Sequence, residues 1–241
     1  MKVIEKFKKK IEDNYHNEGV TVAFIGDSVT QGCFDVYKCG ERSLETYYDK
    51  MNSYQMHFFK ILSVLYPSVP VNIINAGISG DTAPWGLDRI DRDVIRHAPD
   101  LCVICYALND CGFDLDRPEK YRKALTGMFD KLEEAGIEIL FMTPNMMNTA
   151  ISPHLTDPYI IEIAENKARV QNEGKLEGLV EIARELCAER SIPVCDCYAI
   201  WKRLYESGVD TTELLSNKIN HPTPEMNMMF AYELVRCLFE K

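Results

Sequence analysis

The amino-acid sequence predicts an α/β fold in which helices cover both faces of a parallel sheet. Five short apolar runs, rich in β-branched residues, have the length and composition of buried strands. Longer amphipathic stretches with helical spacing separate these runs. Glycines and polar residues follow the strands, at the positions where an open parallel sheet binds its ligands. Alternation of this kind favours a parallel sheet buried between two helical layers.

The predicted elements follow one another in a regular order along the chain. The strands are Val20–Ile25, Val71–Asn75, Leu101–Tyr106, Ile137–Met142 and Ile192–Cys195. The helical patterns cover Ser53–Leu65, roughly Gly86–His97, Pro118–Ala135, a long charged stretch from about Pro158 to Arg190, and Pro224–Phe239. We therefore expect a three-layer α/β/α, flavodoxin-like arrangement around a five-stranded parallel sheet.

A single domain spanning residues 1–241 is expected, because this length fits one α/β core and no linker, repeat or low-complexity tract interrupts it. The segment from Gln31 to Asn52 departs from the pattern, since it is polar, aromatic and without a clear period. Long loops in compact domains are usually functional or disordered. We interpret this segment as an ordered loop near the functional site.

Charge and composition limit the classes of partner. The chain carries 27 Lys and Arg against 37 Asp and Glu, and the net charge of −10 argues against nucleic acid or a membrane surface as a partner. No apolar run reaches the roughly 18 residues of a membrane span, and the N-terminus lacks the apolar region of a secretory signal. The nine cysteines lie mostly in apolar runs, as expected of reduced thiols. We expect a cytoplasmic protein that acts on a small molecule; a homodimer is compatible with the sequence, but no motif predicts one.

The tripeptide Gly26-Asp27-Ser28 directly follows the first predicted strand. A serine hydroxyl becomes an effective nucleophile when a neighbouring base accepts its proton, and the oxyanion that forms needs preorganised donors. At a strand-to-helix turn, Gly26 permits a tight backbone and the Ser28 N–H can point toward the site. A plain turn or helix cap is the alternative interpretation of the tripeptide alone.

Four segments in chain order, VAFIGDSVTQG, NAGISGDT, ALND and NHP, resemble the four sequence blocks of the SGNH (GDSL-like) hydrolase superfamily. The resemblance extends from about Val22 to the C-terminal helix. It implies that Ser28 is the nucleophile and His221 the general base. It also implies an oxyanion hole formed by the Ser28 N–H, the Gly80 N–H and the Asn109 side chain. The chemistry implied by the resemblance requires no cofactor and no metal.

Alternatives remain for the oxyanion residues. Gly77 is a weaker second choice for the position of Gly80 and is better interpreted as a turn glycine. The Asn109 amide can donate to an oxyanion at the tip of a central strand, or it can form an Asx-turn. Ala107 stands where the family usually has the glycine of Gly-x-Asn-Asp, which is a small change.

The position three residues before the histidine, which is usually aspartate in the family, is Lys218 in this chain. A lysine cannot accept a hydrogen bond from the imidazole N–H. A backbone carbonyl near Lys218, the Asn217 side chain, Asp210 or Glu213 could hold the ring instead. We expect a Ser–His dyad oriented by a carbonyl or by Asn217, and a slower enzyme. Inactivity is the other outcome, since loss of the carboxylate can cost about 10⁴ in kcat when it leaves the wrong tautomer.

Other polar residues near the strand tips receive supporting roles. Asp27 is expected to hold the turn of the nucleophile through backbone N–H groups, and Asp110 to support the site. Trp85 and Asn145 are expected to bind substrate, although the segments that carry them could instead form a lid packed on its own core. His154 could reach the rim of the site. No metal site is predicted, because the CxxC pair Cys102 and Cys105 lies inside an apolar strand without a second pair.

The sequence therefore predicts a serine esterase that hydrolyses a small carboxylic ester through an acyl-enzyme on Ser28. An acetyl ester of a carbohydrate is one candidate substrate. A catalytically silent carbohydrate- or ligand-binding protein on the same fold is an alternative, for which Lys218 argues. An acyltransferase is another, because it would use the same residues and differ only in whether water reaches the acyl-enzyme.

Overall fold

The computed structural model describes residues 1–240, and Lys241, the last residue of the predicted domain, lies outside the described residues. The strands are β1 (Val20–Gly26), β2 (Cys33–Lys38), β3 (Leu44–Tyr48), β4 (Val71–Gly77), β5 (Leu101–Cys105), β6 (Glu138–Met142) and β7 (Val194–Cys195). The helices are α1 (Lys2–Glu12), α2 (Ser28–Gln31), α3 (Tyr54–Leu65), α4 (Ala83–Asp93), α5 (Arg117–Glu134), α6 (Pro158–Asn172), α7 (Lys175–Arg190), α8 (Cys197–Glu206) and α9 (Pro224–Phe239). All five predicted strands are present, with ends shifted by at most two residues.

Five strands form one parallel sheet in the order β4-β1-β5-β6-β7. The chain first adds β4 on one side of β1 and then adds β5, β6 and β7 in turn on the other side, as in flavodoxin-like folds. Helices lie on both faces: α3 packs against α9, while α4 and α7 both pack against α5. The predicted fold class is therefore confirmed.

The carboxyl ends of three neighbouring strands, β4, β1 and β5, meet at one edge of the sheet. In the register of the sheet, Gly26 at the end of β1 pairs with Gly77 at the end of β4 and with Cys105 at the end of β5. The segments that follow these strands therefore converge, and they are the segments that carry the predicted site residues. All five residues of β5 are buried, which fixes the edge on a rigid core.

Two segments differ from the prediction. The stretch from Gln31 to Asn52 is ordered, but it contains the antiparallel hairpin of β2 and β3 instead of an irregular loop. Most of its residues are exposed, so the segment lacks the alternation of apolar and polar residues that indicates a half-buried strand. The long charged stretch forms two helices, because Gly174 between α6 and α7 has a φ of 71° that ends the first helix. The helices α1, α2 and α8 are not among the predicted elements. With four residues, α2 is too short to show a helical period.

The nine cysteines are unpaired, and all except Cys39 are buried. Burial raises the pKa of the Cys102 and Cys105 thiols, so they behave as small core side chains. Within residues 1–240, no helix is long and apolar enough to cross a membrane.

Candidate active site

Ser28 lies at the first position of α2, immediately after β1. The Asp27 side chain caps this short helix by accepting a hydrogen bond of 3.0 Å from the Val29 N–H. Gly32 closes the helix in the left-handed conformation, with a φ of 93°. The result is a tight strand-to-helix turn that fixes the Ser28 hydroxyl in a position where only 4% of the residue is exposed.

His221 approaches Ser28 from the loop between α8 and α9. Its Nε2 lies 2.8 Å from Ser28 Oγ, across 193 residues of chain, and the imidazole is buried. The loop is held by an isolated bridge between Leu215 and Pro222 and by the bond from the Ser216 N–H to the His221 carbonyl. The structure thus brings the predicted nucleophile and the predicted base into hydrogen-bond contact.

Asn217 does not orient the imidazole, so the expected alternative in which it replaces the missing carboxylate is wrong. Its Oδ1 accepts the backbone N–H groups of Ile219, Asn220 and His221 at 2.9 to 3.0 Å, and its Nδ2 donates to Asn220 Oδ1. An asparagine that satisfies three consecutive N–H groups shapes the loop backbone. Asn217 therefore supports the position of the histidine through the main chain and leaves the ring untouched.

The two nearby carboxylates that could have oriented the ring are occupied elsewhere. Glu213 pairs with the Lys218 ammonium at 2.9 Å and accepts a hydrogen bond from Ser152 Oγ. Asp210 accepts the backbone N–H of Thr212. Neither carboxylate takes the role that the family aspartate has.

The second ring nitrogen of His221, Nδ1, makes no hydrogen bond of good geometry with any described residue. The Phe34 backbone is near enough to raise the pKa of the ring, but the buried Nδ1 does not reach hydrogen-bond geometry with it. Burial lowers the pKa of the imidazole to about 4, and the positive charge of Lys167 acts in the same direction. The Phe34 backbone raises this pKa, but by less. Phe34 occupies an irregular position of β2, where the pairing with β3 shifts between Cys33 and Asp35. The imidazole is therefore neutral at pH 7 and ready to accept a proton.

The predicted oxyanion donors lie at the same edge of the sheet. Gly80 has a φ of 79°, which favours glycine, and an added Cβ would meet open space. Across residues 1–240, the N–H groups of Ser28 and Gly80 donate to no other protein atom. Asn109 Nδ2 donates one hydrogen to the Asp81 carbonyl at 3.0 Å, which leaves its second N–H for a ligand. All three predicted donors are thus available.

Gly77 has a packing role that separates it from Gly80. A Cβ at Gly77 would lie 2.2 Å from the backbone N of Gln31 and 2.6 Å from the Thr30 carbonyl carbon. Glycine is required there because β4 touches the short helix that carries the nucleophile. This close approach favours Gly80 as the oxyanion residue.

Ala107 carries backbone strain beside Asn109. Its φ of 148° lies in a region that L-residues rarely adopt, and the residue is fully buried. Strain of this kind costs about 1–3 kcal/mol and clusters at functional sites. The replacement of glycine by alanine is therefore a larger change than the side-chain size suggests.

Two buried carboxyl groups lie beneath the site. Burial raises the pKa of Asp27 to about 7, against the opposing bond from the Val29 N–H. Burial also raises the pKa of Asp110 to about 7, while the bond from the Ala83 N–H lowers it. Asp110 Oδ1 accepts that N–H at 2.8 Å, and its Oδ2 has no partner among the described residues. Both residues hold backbone turns, as expected for supporting groups.

The residues expected at the substrate rim divide into exposed and buried. Trp85 on α4 is 63% exposed and His154 is also exposed, so both are open to solvent. Asn145 is fully buried, and its Nδ2 donates to the carbonyls of Met146 and Asn220. The expectation that Asn145 binds substrate is contradicted, because its amide joins the end of β6 to the loop of His221.

Three site-associated residues are missing from the sequence prediction: Arg89, Tyr106 and Lys167. Arg89 on α4 is buried between Gly86 and Ile90 on the core face of the helix, where a charged side chain is unusual. An arginine on the apolar face of a helix is a sequence signal that marks Arg89 for a special role. Lys167 on α6 donates to the Leu108 carbonyl at 3.1 Å, and nothing in its charged sequence context indicates this contact.

The fold and this edge define a three-layer α/β/α protein with a buried serine–histidine pair at the carboxyl ends of parallel strands. Residues 24–228 match the GDSL-like Lipase/Acylhydrolase family, and the chain belongs to that family. The predicted membership of the SGNH (GDSL-like) superfamily is thereby confirmed.

Named relatives and solved structures agree with this assignment. An acetylxylan esterase from Geobacillus stearothermophilus is 28% identical over 135 residues, which are 52% of this chain and 60% of that protein. An arylesterase from Vibrio mimicus is 32% identical over 95 residues, covering 37% of this chain and 47% of the arylesterase. The alignments thus span less than two thirds of either relative.

Two solved structures share the fold at low sequence identity. The crystal structure of the acetylxylan esterase from Geobacillus stearothermophilus has a TM-score of 0.67 at 20% identity and covers 93% of this chain and 96% of that one. A lipase/acylhydrolase from Enterococcus faecalis has a TM-score of 0.63 at 21% identity and covers 90% and 94% of the two chains. At these identities the likeness shows the fold.

Proposed function

We propose that the protein is a carboxylic ester hydrolase with Ser28 as nucleophile and His221 as general base. The observation that carries the proposal is the 2.8 Å contact between Ser28 Oγ and His221 Nε2 within a buried turn. Attack of Oγ on the ester carbonyl transfers the hydroxyl proton to Nε2 and places the negative charge on the carbonyl oxygen. The N–H groups of Ser28 and Gly80 and the free N–H of Asn109 stabilise that charge.

The remaining steps, departure of the alcohol and hydrolysis of the acyl-enzyme, use the same groups. The protonated imidazole gives its proton to the leaving alkoxide, and the acyl group remains on Ser28. Water then attacks the acyl-enzyme, His221 accepts a proton from it, and the carboxylic acid leaves with Ser28 restored. No carboxylate stabilises the imidazolium in either half, so the dyad is expected to be slower than a full triad.

A small acyl group and a polar alcohol portion fit the surroundings best. A cavity of about 220 Å³ is lined by polar side chains that include Thr82, Asp110 and Arg117; it lies near Gly80 and Asn109 in sequence, but neither Ser28 nor His221 lines it. The exposed ring of Trp85 lies on the same helix as Pro84 at the cavity wall and offers a flat face for a sugar. The names of the relatives support an acetyl ester of a carbohydrate as the substrate class.

A catalytically silent ligand-binding protein is the second candidate. Two observations favour it. His221 Nδ1 has no hydrogen-bond partner among the described residues, and the nearby Glu213 carboxylate is paired with Lys218. The oxyanion donors argue against it, because the N–H groups of Ser28 and Gly80 have no other acceptor among the described residues and remain free for a ligand.

Turnover of p-nitrophenyl acetate tests the proposal directly. The wild-type protein is expected to release p-nitrophenol, and Ser28→Ala is expected to lose this activity while keeping its thermal unfolding profile. Ser63→Ala is the matched control, because Ser63 lies on the exposed side of α3 and bonds only the Phe59 carbonyl. Equal turnover by wild type and Ser28→Ala would reject Ser28 as the nucleophile, and no turnover by the wild type would leave the silent binding protein.

A further inference from the structure

Arg89 is a buried cation, and all but one of its hydrogen-bond acceptors lie beneath the candidate site; the exception is Asp93 on α4, at 3.1 Å. The residue is 7% exposed. Its guanidinium donates to the Gly26 carbonyl at 3.2 Å, to the Ala76 carbonyl at 2.7 Å, and to Asp81 Oδ2 from Nε at 2.8 Å. It also donates to the Tyr106 hydroxyl at 2.9 Å. One side chain therefore binds groups from the ends of β1, β4 and β5.

Three of these acceptors lie close in sequence to one component of the proposed reaction site. Gly26 stands two residues before Ser28, and Asp81 directly follows Gly80. Tyr106 stands three residues before Asn109. The three segments that supply the nucleophile and the oxyanion donors are thus tied to one guanidinium.

Asp81 connects this cluster directly to the third donor. Its Oδ2 accepts from Arg89 and from the Tyr106 hydroxyl, the latter at 2.8 Å, while its backbone carbonyl accepts from Asn109 Nδ2. Gly86 makes room for the arrangement, because a Cβ there would lie 2.4 Å from the Tyr106 hydroxyl oxygen. The position of the Asn109 amide therefore depends on a residue that Arg89 holds by an ion pair.

The geometry of the cluster requires a guanidinium. Arginine presents five N–H donors in a planar fork, whereas a lysine ammonium presents three donors around a point charge. Four different acceptors in three segments cannot all be reached from one ammonium at the same distances. A buried ion pair is weak evidence for stability, since burying both charges carries a large desolvation cost.

We propose that Arg89 is a positioning residue that sets the spacing between Ser28 and the oxyanion donors Gly80 and Asn109. The inference rests on the proposed esterase function. Oxyanion donors act mainly in the transition state, so misplacing them lowers kcat more than it raises KM. A displacement of about 1 Å at such a site can cost about 10² in rate.

The test compares Arg89→Lys with Arg92→Lys in steady-state hydrolysis of p-nitrophenyl acetate. Arg92 lies on the same helix and is largely exposed; it pairs with Asp93, which Arg89 also contacts, but bonds no group at the ends of β1, β4 or β5, which makes it the matched control. We expect Arg89→Lys to lose about 10² in kcat with KM within about twofold of wild type, and Arg92→Lys to keep both values. A purely structural role predicts a lower melting temperature with an unchanged kcat per folded molecule, and that result would overturn the inference.

A second pair of variants keeps the inference testable if Arg89→Lys does not fold. Tyr106→Phe removes one acceptor of the guanidinium and one donor to Asp81, and it is expected to lower kcat in the same direction with KM unchanged. Arg89→Ala leaves space beside a cavity of about 340 Å³ that Arg89 itself lines, so added guanidinium ion is expected to restore part of kcat and sodium ion is not. A wild-type kcat in Tyr106→Phe together with no guanidinium rescue would refute the inference. Wild-type turnover that does not depend on Ser28 would instead refute the proposed function, and the inference with it.

Discussion

The Lys218 ammonium lies 2.9 Å from Glu213 Oε2, on the loop that ends at His221. Lys218 stands three residues before His221, where the resemblance to the SGNH family implies an aspartate. Lys218 also adopts a φ of 57°, so the loop turns at the residue that would otherwise supply the acceptor. The imidazole is consequently held from one side by Ser28 and carries no charged partner on the other.

Lys218→Asp is expected to supply the missing acceptor and to accelerate the enzyme. Aspartate tolerates the left-handed region better than most residues, and it stands at the required spacing before His221. A carboxylate near Nδ1 favours the charged imidazolium, so the rising limb of the pH–rate profile should move to higher pH and kcat at pH 8 should rise by about tenfold or more, within the ~10⁴ that the tautomer effect can reach. Lys218→Asn is the control, because it also removes the ion pair with Glu213 but adds no charge. Identical profiles for the two variants would show that the position does not reach the ring.

The wild-type pH–rate profile is expected to rise at unusually low pH. Burial, with the charge of Lys167 acting in the same direction, lowers the pKa of His221 to about 4. The neutral imidazole is the base, so kcat/KM should increase through pH 4 and stay level from about pH 5 to pH 8. Lys167→Gln should move the rising limb to higher pH, whereas Arg169→Gln on the exposed side of the same helix should not. A limb near pH 6.5 in the wild type would contradict the buried, carboxylate-free environment.

Ala107→Gly is expected to stabilise the protein. The φ of 148° strains alanine but not glycine, and relief of about 1–3 kcal/mol exceeds the roughly 0.5–1 kcal/mol of chain entropy that glycine loses on folding. We expect a net gain of about 1 kcal/mol in the free energy of unfolding, measured by urea denaturation. Ala135→Gly is the control, because Ala135 has an ordinary φ of −76° at the end of α5 and should lose stability. Destabilisation by both substitutions would mean that Ala107 is not strained.

Asp110 makes the stability depend on pH in a direction opposite to that of a salt-bridged carboxylate. Burial raises its pKa to about 7, while the unfolded chain releases the proton near the ordinary value of about 3.9. The folded state therefore binds the extra proton between these pH values, and the free energy of unfolding falls as the pH rises from about 4 to 7.

Asp110→Asn should flatten this part of the stability profile. The amide oxygen can still accept the Ala83 N–H, and no ionisation remains at the position. The difference in slope corresponds to an effect on the order of 4 kcal/mol at most, since one pKa unit is worth about 1.4 kcal/mol. Urea denaturation at pH 5 and pH 8 measures it, with the exposed Asp114→Asn as control. An unchanged slope in Asp110→Asn would mean that this carboxyl is already ionised at pH 5.

The fold and the position of Ser28 were predictable because both depend on local patterns. Runs such as Leu101–Cys105 are buried on both faces and read as strands without tertiary information. A parallel sheet brings the residues after its central strands to one edge, so Ser28 and Asn109 could be placed together in advance. The loop of His221 followed from the resemblance, and the structure puts its ring against Ser28.

The parts that could not be predicted depend on where a polar side chain points. Asn145 and Asn217 are amides in loops near the site, yet both are buried and bind backbone groups instead of substrate or imidazole. Sequence gives the residue type at such positions but not the partner. Arg89 lies in a helix with other charged residues, and only its burial distinguishes it from Arg92.

The central claim is that Ser28 and His221 form an activated pair without a carboxylate, and covalent labelling tests it most directly. A fluorophosphonate reacts readily only with a serine whose proton a neighbouring base accepts. Intact-mass measurement should show one adduct on the wild-type protein and none on Ser28→Ala or His221→Ala. An unlabelled wild-type protein, or an adduct that persists in Ser28→Ala, would contradict the account.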